Sequence, residues 1–452
     1  MKKLNTIIFM VLVGMGYGYA LDYDVDGFDY KVSGGVVSAT RFGLSNNKTI
    51  NESKAIYPNN SFWSLSGNLG VKVNLTHGFE MGLKGIVGGV AYDSTRDGSR
   101  LLPADSISSR LKYNTAGRFT EIYMPAWGEV INAYLSYQSE NFGFKVGRYD
   151  MEGLDWFSGH NEGIQMHAGN SDIKAWALYS YGRSSAGYEW LNHFTPRNAE
   201  LNRFGIFVFG VDAKFNAFFV QPYVYYQPGA YVAPGFKVIH DKSFGSKYRS
   251  KTTFMMLGAI HEKRTRDLPS YPGWGYGPIF DKQKATEYNP EGYIGRERGD
   301  GGVTLFVREE FYIKNHYVGG GFYKNFGNPN SLIGAYGNPL RFNTWVYTLY
   351  DVGPTWSDFF GKDSTNLVVF GGSKYDKFSW NVTGRLTYSP RSNERSLALM
   401  LSYIFSKNIN VDLRLEYMND ETKKGYSIFK SYLTKNNYRD KSFVFMYINY
   451  VL

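Results

Sequence analysis

The sequence predicts an all-β protein: a transmembrane antiparallel β-barrel of about 18 strands, with short periplasmic turns and long outer loops. Three observations predict it. Apolar and polar residues alternate with period two over runs of about ten residues or more. The links between these runs are short and long by turns. The composition is rich in aromatic residues and glycine, yet polar on average.

The alternation is clearest between Phe62 and Thr76. One face carries Trp63, Leu65, Gly67, Leu69, Val71, Val73 and Leu75, the other Ser64, Ser66, Asn68, Lys72 and Asn74. His77-Gly78 then makes a tight link, and Phe79, Met81, Leu83, Gly85, Val87 and Ala91 oppose Glu80, Gly82, Lys84 and Gly88. Two amphipathic strands joined this way form a β-hairpin. The same pattern recurs at Ile131–Tyr137, Trp380–Tyr388, Leu397–Phe405 and Val411–Tyr417. Charges at alternate positions of a long strand need water on that side, and Leu, Val and Trp on the other need lipid or a core. Sandwich strands average about 5–6 residues, whereas a tilted membrane strand needs about 9–11. Length therefore favours a membrane barrel, and closure follows because lipid offers no partner to an open sheet edge.

Short links lie at His77-Gly78, Ser139–Asn141 and Lys407–Ile409. Long polar stretches lie at 93–127, 184–203, 263–300, 327–343 and 419–440. At roughly 24 residues per strand with its share of loop, the chain holds about 18 strands, within a range of 16 to 20. The stretch 228–300 gives no clear strand pattern.

Aromatics make up 18% of the 452 residues, with Tyr 38, Phe 33 and Trp 9. Such amphipathic rings favour a membrane–water boundary. Mean hydropathy is −0.36, as expected of strands with one apolar and one wet face. Lys2 and Lys3, the apolar run Ile7–Val13 and the small-x-small sequence Gly18-Tyr19-Ala20 form a secretory signal peptide. Residues 1–20 are thus expected to be removed, leaving 21–452 as one barrel domain. Strand-like alternation begins by about Phe28, which leaves no room for a plug domain ahead of the barrel. There is no cysteine, so disulfides, thiolate metal sites and a lipoprotein anchor are excluded. The net charge of +10 is dispersed rather than clustered, so nucleic acid is not an expected partner.

The terminal residues Val444, Met446, Ile448, Tyr450 and Leu452 alternate to the end of the chain. A hydrophobic last residue with Tyr two before it resembles the signal read by the barrel-assembly machinery, with Leu452 in place of the usual Phe. The expected partners are this machinery, outer-membrane lipid and lipopolysaccharide, and small hydrophilic solutes. A homotrimer would suit a porin, but no interface signature marks one.

The stretch Phe142–Gln165 carries the candidate site. A strand ending in Gly147-Arg148-Tyr149-Asp150 enters a loop rich in Gly, Asp and aromatics, then Gly159-His160-Asn161-Glu162-Gly163. This pattern resembles a porin constriction loop, which folds inward and narrows the channel. Its candidate residues are Arg148, Asp150, Glu152, Asp155, His160 and Glu162. Acidic members would face basic wall residues and set a transverse field. An ordinary outer loop is the competing reading. Wall candidates from the wet faces are Lys72, Lys84, Lys145, Arg308, Arg385 and Arg414, with Glu80, Glu310, Asp412 and Glu416. Six bases against four acids leave ion preference open.

No catalytic motif stands out and no cofactor is expected. His160 with Glu162 is too few ligands for a metal site, and Gly-x-Ser-x-Gly and His-Glu-x-x-His are absent. The tripeptide Arg298-Gly299-Asp300 is a chance match in a charged loop.

Leu21-Asp22-Tyr23, Phe28-Asp29-Tyr30-Lys31-Val32-Ser33-Gly34, Lys145-Val146-Gly147-Arg148 and Leu154-Asp155-Trp156-Phe157-Ser158-Gly159 resemble the Helicobacter-type outer membrane proteins of the Hof class. Those proteins are similar in size and layout to OprD-like specific porins. The resemblance covers the mature chain as layout and is residue-specific around 142–163 and at both ends. It implies an outer-membrane barrel acting as a diffusion pore, a non-enzyme. The alternative is an adhesin whose barrel displays long loops to other cells; whether Phe142–Gly163 lies inside the barrel separates the two.

Overall fold

A computed structural model describes residues 22–94, 128–262, 300–327 and 359–452. Within these it leaves gaps at 26–27, 47–48, 50, 57, 60, 158, 185, 188–190, 192, 197–203, 360, 426 and 429–430. The expected leader (1–20), most of the long stretches 93–127, 263–300 and 327–343, and the tripeptide's Arg298 and Gly299 lie outside the described residues.

Eighteen antiparallel strands close into one barrel. They are β1 (Phe28–Gly43), β2 (Phe62–Asn74), β3 (Phe79–Asp93), β4 (Gly128–Gln138), β5 (Phe142–Asp150), β6 (His160–Gly169), β7 (Ile173–Ser184), β8 (Ile206–Phe215) and β9 (Phe218–Gln227). The second half comprises β10 (Tyr231–Phe244), β11 (Tyr248–His261), β12 (Gly301–Ile313), β13 (His316–Gly327), β14 (Thr365–Lys374), β15 (Phe378–Tyr388), β16 (Ser392–Ile404), β17 (Ile409–Thr422) and β18 (Phe443–Val451). Each strand pairs with the next, and β18 pairs with β1 from Gly35↔Val451 to Gly43↔Phe443. The short segment Asp22–Val25 pairs with the start of β1, Phe28–Lys31, which β18 does not reach. Among the described residues no helix is long and apolar enough to cross a membrane.

The two faces of the wall follow from the alternation. Outward positions expose Leu65, Leu83, Val146, Val318, Val369 and Leu397. Exposed aromatics gather at both margins of this band. Phe42, Trp63, Tyr92, Tyr226, Phe326 and Tyr388 lie toward the long-loop end, and Phe79, Phe142, Phe218, Phe244, Phe311 and Phe378 toward the short-turn end. An apolar belt between two aromatic girdles fits a bilayer and its two interfaces.

Three irregularities depart from plain alternation. Ser64 pairs with Val90 while Trp63 pairs with Tyr92, so Ala91, expected on the apolar face, is the extra residue of a β-bulge. Lys84 pairs with Asn132 and Gly85 with Val130. Ile131 is therefore the extra residue there. It was expected on the apolar face, yet it is buried with Ile86, Ala186 and Leu191. Tyr181 is skipped likewise between β6 and β7.

Two stretches read from sequence as loop or as featureless are strand. The stretch 228–300 contains β10 and β11, whose outward faces carry Pro234, His240, Lys242, Ser250 and Thr252 and so hide the apolar period. The stretch 419–440 is shortened from both ends, because β17 runs to Thr422 and pairs Asn419–Thr422 with Asn437–Asp440.

Gly147 has φ 117, and a Cβ there would lie 2.2 Å from the Ala133 carbonyl oxygen. Only glycine tolerates that geometry. Gly147→Val should therefore destabilise the barrel by about 2 kcal/mol or more. Gly384→Ala, whose Cβ would meet only Val369 at 3.4 Å, should stay within about 0.5 kcal/mol of the parent. Urea-unfolding midpoints of the refolded proteins in detergent test the pair, and equal midpoints would refute the assignment.

Candidate functional site

Registers place all ten wall candidates on the inner face. Lys72 and Glu80 form an ion pair of 3.4 Å, and the Tyr134 hydroxyl donates to Glu80 at 2.5 Å. Lys145 lies over the rings of Tyr134 (4.5 Å) and Tyr149 (5.9 Å). Arg308 pairs with Glu310 at 3.0 Å and stacks on Phe370 at 4.1 Å. Arg385 pairs with Glu394 at 2.5 Å and donates to Thr387. Arg414 pairs with Glu416 at 2.5 Å. Asp412 accepts from Ser402, Asn410 and Asn449.

These contacts sort the candidates. The three arginines each have a carboxylate neighbour that offsets their charge locally. Arg385 and Glu394 are both almost wholly buried, so that pair stiffens the wall rather than meeting solutes. Among the described residues Lys84 and Lys145 have no carboxylate at ion-pair distance, and their charge is available to the lumen.

The link from β5 to β6, residues 151–159, turns inward. Its base is closed by the Met151 amide donating to the Gly159 carbonyl at 2.9 Å. Asp155 reaches across to Lys237 of β10 at 2.6 Å, with both side chains mostly buried. The Trp156 indole N–H donates to the Tyr223 hydroxyl of β9 at 2.8 Å. Phe157 meets Tyr225 edge to face, with centroids 5.0 Å apart. Tyr223, Tyr225 and Lys237 belong to the inner face, opposite the exposed Tyr226 and Val232. Trp156 and Phe157 join a buried cluster with Ile206, Val208, Met255, Leu257 and Phe306. Phe359, from the link between β13 and β14, enters the same cluster against Tyr323 at 4.2 Å.

The remaining candidates gather at the ends of β5 and β6. Alternation from outward Val146 would aim Arg148 and Asp150 at lipid. With Gly147 and the neighbouring bulges in place, both instead meet inner-face residues. Arg148 pairs with Glu129 at 3.0 Å and Glu162 at 3.6 Å, and Asp150 accepts from Asn132 at 3.3 Å. His160 pairs with Asp150 at 2.5 Å and contacts the Ala186 carbonyl oxygen at 2.7 Å. His160 and Glu162, weighed together as metal ligands, have separate partners. Glu152 is exposed.

Sequence reasoning missed Lys237, Tyr223, Glu129 and His193. His193 contacts Glu129 at 2.6 Å, and Phe194 lies 4.3 Å from the Arg148 guanidinium. With Ala186 and Leu191 packed on Ile86 and Ile131, these contacts hold parts of the link between β7 and β8 against β4 and β5. Lys237 was legible in principle: Tyr231, Ala233, Gly235 and Lys237 alternate with Val232, Pro234, Phe236 and Val238. Pro234 interrupts that pattern, because proline donates no ladder hydrogen bond.

Residues 15–452 match the family described as "Putative outer membrane protein", HP_OMP_2. The chain belongs to this family. As an HP_OMP_2 protein it is a β-barrel of the bacterial outer membrane. No curated protein matches it. Its fold is similar to three crystal structures. Acinetobacter baumannii OccAB4 is 12% identical, with 96% of this chain and 100% of that one covered and a TM-score of 0.58. Acinetobacter baumannii OccAB1 is 12% identical, with 93% and 96% covered and a TM-score of 0.60. Pseudomonas aeruginosa OprD is 10% identical, with 96% and 99% covered and a TM-score of 0.57. At these identities the likeness is one of fold.

Trp156→Ala should remove a buried ring and its hydrogen bond to Tyr223, lowering stability by about 3 kcal/mol or more. Lys362→Ala, at an exposed turn, should change it by no more than about 0.5 kcal/mol. Urea midpoints of the refolded barrels decide this; no difference between the two would place Trp156 outside the packed cluster.

Proposed function

We propose that the chain is a passive diffusion pore for small hydrophilic solutes, narrowed by residues 151–159. The observation that carries this reading is the inward dock of that link, with Asp155 on Lys237 and Trp156 on Tyr223. A barrel of 16–18 strands leaves an aqueous channel unless loops fill it. A loop fixed to one wall narrows that channel without sealing it. The fold likeness to OccAB4, OccAB1 and OprD supports the reading.

The roles divide by contact. Asp155, Trp156 and Phe157 anchor the constriction to β9 and β10. Arg148, Asp150, His160 and Glu162 brace its two ends. Exposed Glu152, with Lys84 and Lys145, meets the passing solute and sets the transverse field. The outer-wall alternation and Tyr450 with Leu452, on the outward face of β18, serve membrane insertion and assembly.

The test is single-channel recording of the refolded protein in planar bilayers under a salt gradient. Discrete conductance steps are expected. Glu152→Lys should move the reversal potential toward anion preference, and Trp156→Ala should raise conductance and open-channel noise. A folded barrel that inserts and stays silent would refute the pore and favour a barrel that displays its outer loops.

A further inference from the structure

The short-turn rim of the barrel is electrically lopsided. Links 75–78, 139–141, 170–172 and 216–217 on the first half contain Glu140 and Asp172 and no lysine or arginine. The corresponding links on the second half contain Lys247, Lys314, Lys377 and Lys407 against the single acid Asp376.

These turns are contiguous. The Lys314 amide donates to the Lys247 carbonyl at 3.1 Å, and the Lys374 amide to the Asn315 carbonyl at 3.0 Å. Neighbouring hairpins of one sheet repeat roughly every 10 Å, close to the Debye length of about 8 Å at physiological salt. The ammonium groups therefore repel one another unless a counter-anion lies between them. Lys247, Lys314 and Lys377 are exposed, and among the described residues none has a carboxylate at ion-pair distance. Nearby Asp241 is already engaged by Arg249.

A second observation fixes what faces this rim. On the same strand ends, Phe244, Tyr248, Phe311, Phe378, Tyr403 and Phe405 are exposed on the outward face. An aromatic girdle marks the boundary between acyl chains and headgroups. Lysines one turn beyond it reach the headgroup layer with their stems along apolar surface. This end of the barrel is periplasmic, where the membrane leaflet is phospholipid.

We propose that the rim of β10–β17 is a binding surface for anionic phospholipid headgroups of the periplasmic leaflet, and that the opposite half of the rim is not. The phosphates occupy the gaps between the lysines of adjacent turns, and the acyl chains lie on the aromatic girdle above them. The proposal concerns the lipid annulus and is independent of whether the lumen conducts.

The test uses the refolded mature chain in phosphatidylcholine bilayers with a spin-labelled phosphatidylglycerol or phosphatidylcholine probe. Electron spin resonance reads the fraction of each probe immobilised at the protein. One lysine at the surface enriches an anionic lipid locally about fivefold. Averaged over an annulus in which half the rim is basic, phosphatidylglycerol should be preferred by about twofold at low salt, falling toward parity at high salt. The combined variant Lys247→Glu, Lys314→Glu and Lys377→Glu should lose the preference, and Gln at the same three positions serves if the Glu variant does not fold. A heat-dependent gel shift verifies folding. A folded variant with an unchanged preference would overturn the proposal. So would sedimentation of the parent with purified peptidoglycan that the variant loses while its lipid preference stays the same; the rim would then be a cell-wall contact.

Discussion

A peptide group in hydrocarbon has no solvent to bond, and leaving one unpaired costs several kcal/mol. The rest of the structure depends on meeting that demand around the whole circumference. The critical seam is between the first and last barrel strands. The sixteen residues of β1 face only nine in β18. The last rung is the Leu452 amide on the Gly34 carbonyl at 2.9 Å, so the final residue of the sequence is also the final member of the ladder. Below it the edge of β1 is covered by Asp22–Val25. The aromatic girdles, the alternation and the short periplasmic turns all serve strands held in this closed register.

Closure at eighteen strands produces a lumen that wall side chains cannot fill, and the interior is divided unevenly. From β7 to β14 the inner face carries an apolar and aromatic cluster, including Leu178, Val208, Tyr225, Met255, Phe306 and Val368, covered by Trp156, Phe157 and Phe359, beside the paired charges of Lys237, Arg308 and Glu310. Toward β2–β5 and β16–β18 the inner face carries Lys72, Glu80, Lys84, Lys145, Asp412 and Arg414. Side chains such as Arg308 and Arg414 are held in two ways at once, by a carboxylate and by a ring. A guanidinium held on both sides is a fixed feature of the wall, whereas a lysine such as Lys84 keeps its freedom.

Much of this was legible in the sequence because the bilayer imposes one rule on every strand. Phe62–Thr76 and Trp380–Tyr388 obey it without interruption, and the faces read from them are those observed. The rule fails where a strand is polar on its outer face, as at His240, Lys242 and Thr252, or contains proline, as at Pro222 and Pro234. It also fails at a bulge, since one inserted residue reverses everything beyond it; Ile131 is buried and Tyr92 faces outward for that reason. The candidate loop was visible from its glycines, acids and aromatics. Its anchor was not, because Lys237 is distant in sequence and only the closed barrel brings it to Asp155.

That anchor shows why an ion pair is used where an aromatic contact already exists. A solvated pair in a wet lumen would contribute about 0–1 kcal/mol. This one is largely desolvated, because Trp156 and Phe157 pack beside it and exclude water. Desolvation strengthens the attraction and also raises the penalty for losing one partner, since the other charge would remain buried. The rings alone could settle on several positions of a wall that presents Tyr223, Tyr225, Tyr231 and Met255 in succession. Further along the same inner face Asp241 and Arg249 are paired with each other, and Asp155 is satisfied at Lys237. Aromatic burial supplies the adhesion and the ion pair selects the place. A link held this way keeps a defined position, which packing alone on a repetitive aromatic wall would not guarantee.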